Sequence, residues 1–213
     1  MAKTITRLLF PLFFGLCLAT ASETQGLAAL PPARVAQDMF DDLNKALTTH
    51  RAELEKNRQA TIKMIDDIVL PHFDLDYASI LMLGFNAQSA SPEQRARFAK
   101  AMYGSIVRRY ASGVLQLTAS RLRLLPGQNK LNDRRTLVHI EVVDDDGETM
   151  PADLVFHRIG DDSWKFYDVV ADGVSYVTNY RNQVAAEIQK MGLNALIAKL
   201  QTQDVDAPDS AQK

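Results

Sequence analysis

Apolar and polar positions change their spacing twice along the chain, and these changes divide it into three regions. From residue 32 to residue 114, apolar side chains recur every three or four residues, which predicts amphipathic helices. Between residues 121 and 170 the pattern alternates, as it does in strands whose successive side chains point to opposite faces of a sheet. After Gly173 the helical spacing returns. This order predicts an α+β domain in which helices cup a curved sheet.

Four helices are predicted ahead of the sheet, at residues 32–49, 53–69, 75–83 and 91–114. Ser91 is a favourable N-cap, and Pro92 suits the first helical position because that position needs no backbone donor. The last of these helices repeats apolar residues every four positions, from Phe98 to Val114. We expect its apolar face to form a wall of whatever the domain encloses.

Four strands are predicted next, at residues 121–125, 136–143, 152–159 and 164–170. Turn-forming residues separate them, beginning with Pro126 and Gly127. Aspartate- and glycine-rich stretches at 144–147 and 160–162 close the later hairpins. Such short connections predict an antiparallel sheet of about four strands in chain order.

The last predicted strand is apolar on nearly both faces. Alternation places Phe166, Asp168 and Val170 on one face. Tyr167 and Val169 then lie on the opposite face. A strand of this kind is expected to be covered on both sides, by a core or by the wall of a cavity.

The N-terminus has the features of an export signal. Lys3 and Arg7 precede an apolar run at residues 8–19, which is too short to span a bilayer. Small residues favour cleavage after Ala21, with a second candidate site near residue 28.

At the other end of the chain, helices are predicted after the sheet, at 176–190 and 193–200. The predicted organisation is a signal peptide at 1–21, a single domain at 22–204 and a disordered tail at 205–213.

Composition narrows the classes of function. The chain has 46% hydrophobic residues and a formal net charge of −2, without the clustered basic surplus that nucleic-acid binding requires. Its one cysteine, Cys17, lies in the predicted signal peptide, so the exported domain has no thiol chemistry. Leu16 makes a lipoprotein anchor at that cysteine unfavourable.

Catalytic and metal-binding signatures are missing from the sequence. The four histidines lack metal-ligand spacing, and the aspartates of 144–147 lack the rest of a calcium-binding loop. No serine occupies the glycine-flanked turn of a hydrolase nucleophile. We therefore predict no catalytic residue, no metal and no cofactor.

Asp168 leaves two hypotheses open. On a buried face it could be a general base with a raised pKa, in a cavity enzyme that uses Asp168 or His157. Alternatively it is a structural carboxylate held by backbone groups at the following bend or by Arg181.

A further hypothesis concerns the whole protein, which could be an adaptor whose apolar face docks another protein. This hypothesis predicts a solid core without a cavity.

Several short motifs occur in a specific order and spacing. They are Pro71–Asp74, Ser79–Gly84, Gln94-Arg95 with Phe98, Tyr110, Pro151, Tyr167-Asp168, Gly173-Val174-Ser175 and Asn179-Tyr180-Arg181. Together they resemble the MlaC family, also called the toluene-tolerance auxiliary proteins, over about residues 32–200. Phe85-Asn86 departs from the family, which usually has a tryptophan close behind the Leu-Gly pair, and puts the local packing in doubt.

The resemblance implies a carrier and not an enzyme. Family members are periplasmic, have a ketosteroid-isomerase-like α+β fold, and hold the acyl tails of phospholipid in a cavity between sheet and helices, with the head group outside. The implied partners are phospholipid as cargo, an outer-membrane lipoprotein complex, and an inner-membrane ABC-transporter complex with its substrate-binding ring. This exchange would maintain outer-membrane lipid asymmetry.

We expect the acyl-chain cavity to be lined by side chains from the long helix, the sheet and the sheet-to-helix bend. The expected lining is Leu83, Met102, Tyr103, Ile106, Val138, Ile140, Val142, Phe156, Phe166, Tyr167, Val169, Val174, Tyr176 and Tyr180. For any one of these residues taken alone, a place in the solid core is the simpler interpretation.

Overall fold

The computed structural model describes residues 31–115, 122–143, 148–160 and 163–203. The predicted signal peptide, the 144–147 turn and the predicted C-terminal tail lie outside these ranges. The helices are α1 Pro31–Leu54, α2 Arg58–Ile68, α3 Leu75–Leu83, α4 Asn86–Ser89, α5 Pro92–Val114, α6 Tyr176–Met191 and α7 Leu193–Thr202, with a 3₁₀ turn at Leu70–His72. The strands are β1 Leu122–Asn132, β2 Arg135–Val143, β3 Thr149–Ile159, β4 Ser163–Ala171 and β5 Val174–Ser175.

The predicted fold class is confirmed, and local capping explains where most helices begin. Ser91 forms a capping box with Gln94 at the start of α5. The break predicted between the first two helices, at residues 49–53, comes too early in the chain. The observed break precedes Asn57, which is the N-cap of α2. The Asn57 side chain accepts hydrogen bonds from the backbone N–H groups of Gln59 and Ala60 at 3.1 and 3.2 Å.

The sheet is an antiparallel meander in the order β1-β2-β3-β4-β5. The fifth strand has only two residues, so the prediction of about four strands describes the main sheet correctly. Asp172 and Gly173 form the two-residue turn into β5, with φ of 50° and 76°. Aspartate and glycine suit this turn because both tolerate positive φ.

The first strand is longer than predicted. It continues past Pro126 to Asn132, and three of its residues lie between the pairs Leu124–Ile140 and Gln128–Val138, where β2 has one. The predicted turn at Pro126 is therefore a bulge in an edge strand, where a residue without an N–H is tolerated.

A second bulge corrects the predicted faces of β4. Phe166 pairs with Phe156, whereas Asp168 pairs with Val155, the preceding residue of β3. Tyr167 is thus an extra residue, and Phe166 and Asp168 lie on opposite faces of the sheet. Simple alternation could not predict this change of face.

Two hydrophobic cores form on the two faces of the sheet. The first packs α1 and α2 against one face around Leu47 and Phe156. The second joins α3, α6 and α7 to the other face around Tyr167 and Tyr180. Helix α5 contributes to both, with Val107 in the first core and residues such as Phe98 in the second. The two cores meet along a line that follows α5 and β4, and we call this line the seam.

Phe85 is one large apolar residue outside these cores. It lies between α3 and α4 and is 91% exposed, so it makes no contribution to local packing.

Candidate ligand-binding cavity

The seam contains a cavity of about 360 Å³, which lies within the usual range of roughly 300–1,000 Å³ for ligand sites. Its wall is almost entirely apolar, so it offers space to a hydrocarbon and few partners to a polar ligand. It is lined by Met39, Leu43, Ile65, Val69, Phe73, Leu75, Ala78, Ser79, Met82, Met102, Tyr103, Ile106, Val107, Tyr110, Val114, Leu154, Phe166, Tyr167, Asp168, Val169, Tyr176, Val177 and Tyr180.

Two elements supply much of this wall, each for a geometric reason. Helix α5 contributes Met102, Ile106, Tyr110 and other residues at three- and four-residue spacing, which share one face of a helix. Strand β4 contributes all four consecutive residues 166–169. The bulge at Tyr167 helps to explain this, because a regular strand directs alternate side chains to opposite faces.

Eight of the fourteen expected residues line this cavity. They are Met102, Tyr103, Ile106, Phe166, Tyr167, Val169, Tyr176 and Tyr180. The other six lie elsewhere. Val138, Ile140 and Phe156 are buried in the first core and Leu83 in the second, while Val142 and Val174 are half-buried strand residues outside the wall. Whether the eight contact a ligand is a proposal, developed below.

Sequence reasoning missed the contribution of the first three helices. Met39 and Leu43 of α1, Ile65 of α2, and Ala78 and Met82 of α3 all line the cavity. Each belongs to an apolar stripe that equally predicts packing against a solid core. No signal in the sequence distinguishes the two environments, because a cavity wall and a core contact require the same side chains.

Four of the five lining tyrosines lie near another polar group. The hydroxyl groups of Tyr110 and Tyr180 are 3.5 Å apart, Tyr103 is close to Asp66, and Tyr167 interacts with Arg135. Burial raises the pKa of Tyr103, Tyr167, Tyr176 and Tyr180 above the usual value for a phenol, so these groups stay neutral.

Asp168 fastens the beginning of α6 to the sheet. Its Oδ2 accepts a hydrogen bond from the Ser175 hydroxyl at 2.6 Å, and its Oδ1 accepts one from the Val177 N–H at 2.9 Å. The residue is 7% exposed; burial raises the pKa of its carboxyl group, and these hydrogen bonds partly offset the rise. Arg181, the partner considered from the sequence, instead packs its side chain near Gly84.

A second polar contact fastens α3 to the sheet. Asp74 caps α3 through Oδ1, which accepts a hydrogen bond from the Tyr77 N–H at 3.0 Å, and its Oδ2 lies 2.8 Å from Nε2 of His157 on β3. The Asp74 N–H donates to the Phe166 carbonyl at 2.8 Å, and the Tyr77 ring stacks on His157 with centroids 4.3 Å apart. We call this group the Asp74–His157 latch.

The two histidines of the hairpin, His139 on β2 and His157 on β3, do not pair with each other across the sheet. His139 pairs across the sheet with Asp153, and its Nδ1 lies 2.5 Å from the Asp153 carboxylate. Across the described ranges, no group of three or more histidine, cysteine or acidic side chains has a metal-binding arrangement. None of the helices described here combines the length and apolar character of a membrane span.

The fold and its cavity define a class of α+β domain in which helices and an antiparallel sheet enclose an apolar space. The chain belongs to the MlaC family, because the family model described as MlaC protein matches residues 37–202. The resemblance predicted from the sequence is therefore confirmed.

Relatives match over most of the chain. It is 26% identical over 205 residues to the intermembrane phospholipid transport system binding protein MlaC of Haemophilus influenzae, covering 94% of this chain and 92% of that protein. It is also 26% identical over 179 residues to the toluene tolerance protein ttg2D of Pseudomonas putida, covering 83% of this chain and 82% of that protein.

A solved structure shares the fold. The phospholipid-binding protein of Ralstonia solanacearum, solved in complex with a phospholipid, matches with a TM-score of 0.71 at 21% identity. The match covers 79% of this chain and 93% of that one.

Replacing Asp168 by alanine is expected to lower the free energy of unfolding by about 1–3 kcal/mol, because the Ser175 hydroxyl and the Val177 N–H lose their acceptor. Burial raises the folded-state pKa, so the contribution of Asp168 to stability is fullest below the ordinary carboxyl value of 3.8 and decreases as pH rises through the folded pKa. Urea unfolding of wild type and Asp168→Ala, repeated from below pH 3.8 upward, measures the difference in their free energy of unfolding. A difference that increases with rising pH would contradict this account.

Replacing His157 by alanine is expected to free α3 from the sheet. The lost contact to Asp74 and the lost stacking on Tyr77 predict a stability decrease of about 1–3 kcal/mol. Hydrogen exchange should become faster in α3. His139→Ala is the matched control, since His139 is also a strand histidine beside a carboxylate, but its partner Asp153 lies on β3 and not at α3. Equal protection of α3 in both variants would show that the latch does not hold this helix.

Proposed function

We propose that this protein is a periplasmic phospholipid carrier that holds acyl chains in the cavity at the seam. The observation that supports this most directly is an apolar cavity walled by both cores in a member of the MlaC family. The names of the relatives, which refer to intermembrane phospholipid transport and toluene tolerance, agree with this function. The export features of residues 1–21 agree with the location.

The free energy of hiding lipid tails from water requires such an enclosed site. At about 0.8 kcal/mol per methylene, a diacyl lipid with about 30 such groups gains roughly 25 kcal/mol on leaving water. A carrier must replace nearly all of that apolar environment. A shallow surface patch would leave most of the tail in water.

We infer that the seam widens when a whole lipid is bound. A cavity of about 360 Å³ lies at the lower end of the usual range for ligands of drug size, and a diacyl lipid with about 30 methylene groups is larger than these. Since α3 and α6 are fastened to the sheet by few polar contacts, we infer that they move outward to admit the remainder.

Transfer to and from partner complexes needs no covalent chemistry. The carrier would exchange lipid with an outer-membrane lipoprotein complex and an inner-membrane ABC-transporter complex with its substrate-binding ring. Each partner has to offer a similarly apolar path and favour the open carrier, because net transfer follows the difference in affinity between the two sites.

Two alternatives receive less support. A cavity enzyme would use Asp168 or His157 as a base, but Asp168 accepts a hydrogen bond from the first turn of α6 and His157 contacts Asp74. An adaptor would have a solid core, and the cavity argues against that hypothesis.

Mass spectrometry of an organic extract of gently purified protein tests the proposal. We expect phospholipid in the extract, and uptake of phospholipid from vesicles by the stripped protein. Repeated extracts without phospholipid, together with no uptake from vesicles, would contradict the carrier function.

Filling the cavity is expected to abolish loading. Ile106→Trp places a bulky ring at the wall and should remove most of the co-purified phospholipid. Ile80→Trp is the matched control, because Ile80 itself does not line the cavity and is 45% exposed. Circular dichroism checks that both variants are folded. Normal lipid content in folded Ile106→Trp would show that the tails lie elsewhere.

A further inference from the structure

The C-terminal end of α3 exposes two large apolar side chains. Phe85 follows Gly84, the C-cap of α3, and is 91% exposed. Ile80 lies one helical turn before Gly84 and is 45% exposed. Single exposed apolar residues are common on protein surfaces, whereas grouped ones mark contact surfaces. We call Ile80, Gly84 and Phe85 the α3 corner.

A positive charge lies against this corner. The Arg181 side chain of α6 crosses Gly84 so closely that a Cβ atom there would be 3.3 Å from the Arg181 Cδ. The methylene part of Arg181 thus packs on α3, while the residue as a whole stays exposed, as is usual for a long cationic side chain. Within the part of the chain that the structure describes, Arg181 forms no ion pair. Its charge is available to an anion outside the protein.

The other charges around this end of α3 do not reverse the sign. The Nη1 of Arg95 donates to two backbone carbonyls at α4, at 3.0 and 3.1 Å. Glu93, two residues earlier on α5, offsets the charge of Arg95. Asp76, the acidic residue of α3, lies about 12 Å along the helix axis from Gly84. Arg181 therefore leaves the corner positive.

We propose that the α3 corner docks on the surface of an anionic phospholipid bilayer. Phe85 and Ile80 enter the apolar boundary of the bilayer, and the guanidinium group of Arg181 contacts lipid phosphates. A bilayer fits this surface better than a protein partner does. A stable protein interface buries about 1,200–2,000 Å² in total, and two side chains supply only a few hundred. A fluid bilayer needs no matching pocket.

Docking at this corner brings the cavity wall close to lipid. Helix α3 lines the cavity with Ala78, Ser79 and Met82, on the side of the helix opposite to Ile80. Helix α6, which carries Arg181, lines the cavity as well. The two helices that we infer to move during loading thus also supply the docking surface. This inference goes beyond exchange with partner complexes, and it does not require that lipid tails occupy the cavity.

Sedimentation with vesicles tests the proposal. The full chain is mixed with vesicles of phosphatidylcholine alone, or of phosphatidylcholine and phosphatidylglycerol in equal parts. Wild type should bind the mixed, anionic vesicles more tightly, and high salt should weaken this preference. Phe85→Ser should weaken binding to both kinds of vesicle about tenfold, because the apolar ring is lost. Leu131→Ser is the matched control, because Leu131 is 49% exposed on the edge strand β1.

The charge and the aromatic ring are tested separately. Arg181→Gln should weaken binding to the anionic vesicles about two- to fivefold and leave phosphatidylcholine vesicles unaffected. Lys190→Gln should have a smaller effect, because Lys190 is exposed near the other end of the same helix. Phe85→Trp should keep the binding, and the emission of the introduced tryptophan should move to shorter wavelength as the ring leaves water.

Each failure has a distinct meaning. Wild type that sediments with neither kind of vesicle overturns the proposal, and so does Phe85→Ser that binds as tightly as Leu131→Ser. Unchanged vesicle binding by Phe85→Ser, together with impaired lipid delivery to membranes that contain the partner complexes, assigns the corner to a protein partner instead. Phospholipid in the extracts of a protein that does not bind vesicles overturns this inference alone and leaves the carrier function standing.

Discussion

The structure depends on keeping an apolar space open in a domain whose interior otherwise packs closely. An apolar wall that faces open space loses the contacts that a filled core would make, so a cavity of about 360 Å³ lowers the stability of the fold. The elements around the cavity must therefore be held by contacts that do not require it to close. The carboxylates of Asp168 and Asp74 provide such contacts, because each joins a helix end to the sheet through directional hydrogen bonds.

The division into two cores would allow the proposed widening of the seam. The first core, around Leu47 and Phe156, packs α1 and α2 on one face of the sheet without α3 or α6. The second core carries those two helices on the other face. Outward movement of α3 or α6 would widen the seam and leave the first core intact. Because α5 belongs to both cores, we expect it to keep its position during such a movement.

Much of the fold could be predicted from the sequence because its signals are local. The helix at 75–83 and the cap at Ser91 were predicted correctly, since apolar spacing and capping act within a few residues. The bulges at Pro126 and Tyr167 were missed, because pairing between strands determines them. The candidate site was predicted in part, through α5, β4 and the tyrosines. The wall contributed by α1, α2 and α3 was missed, because a stripe such as Met39–Leu43 is the same beside a cavity as in a solid core.

The central claim is that lipid tails lie inside the seam, and photo-crosslinking tests it most directly. A phospholipid with a photoreactive group near the end of one acyl chain would be loaded into the protein, activated by light, and mapped by peptide mass spectrometry. The account predicts adducts on residues such as Ile106, Tyr167 and Val169, which line the cavity on α5 and β4. Adducts confined to exposed apolar residues such as Ile80 and Phe85 would contradict it.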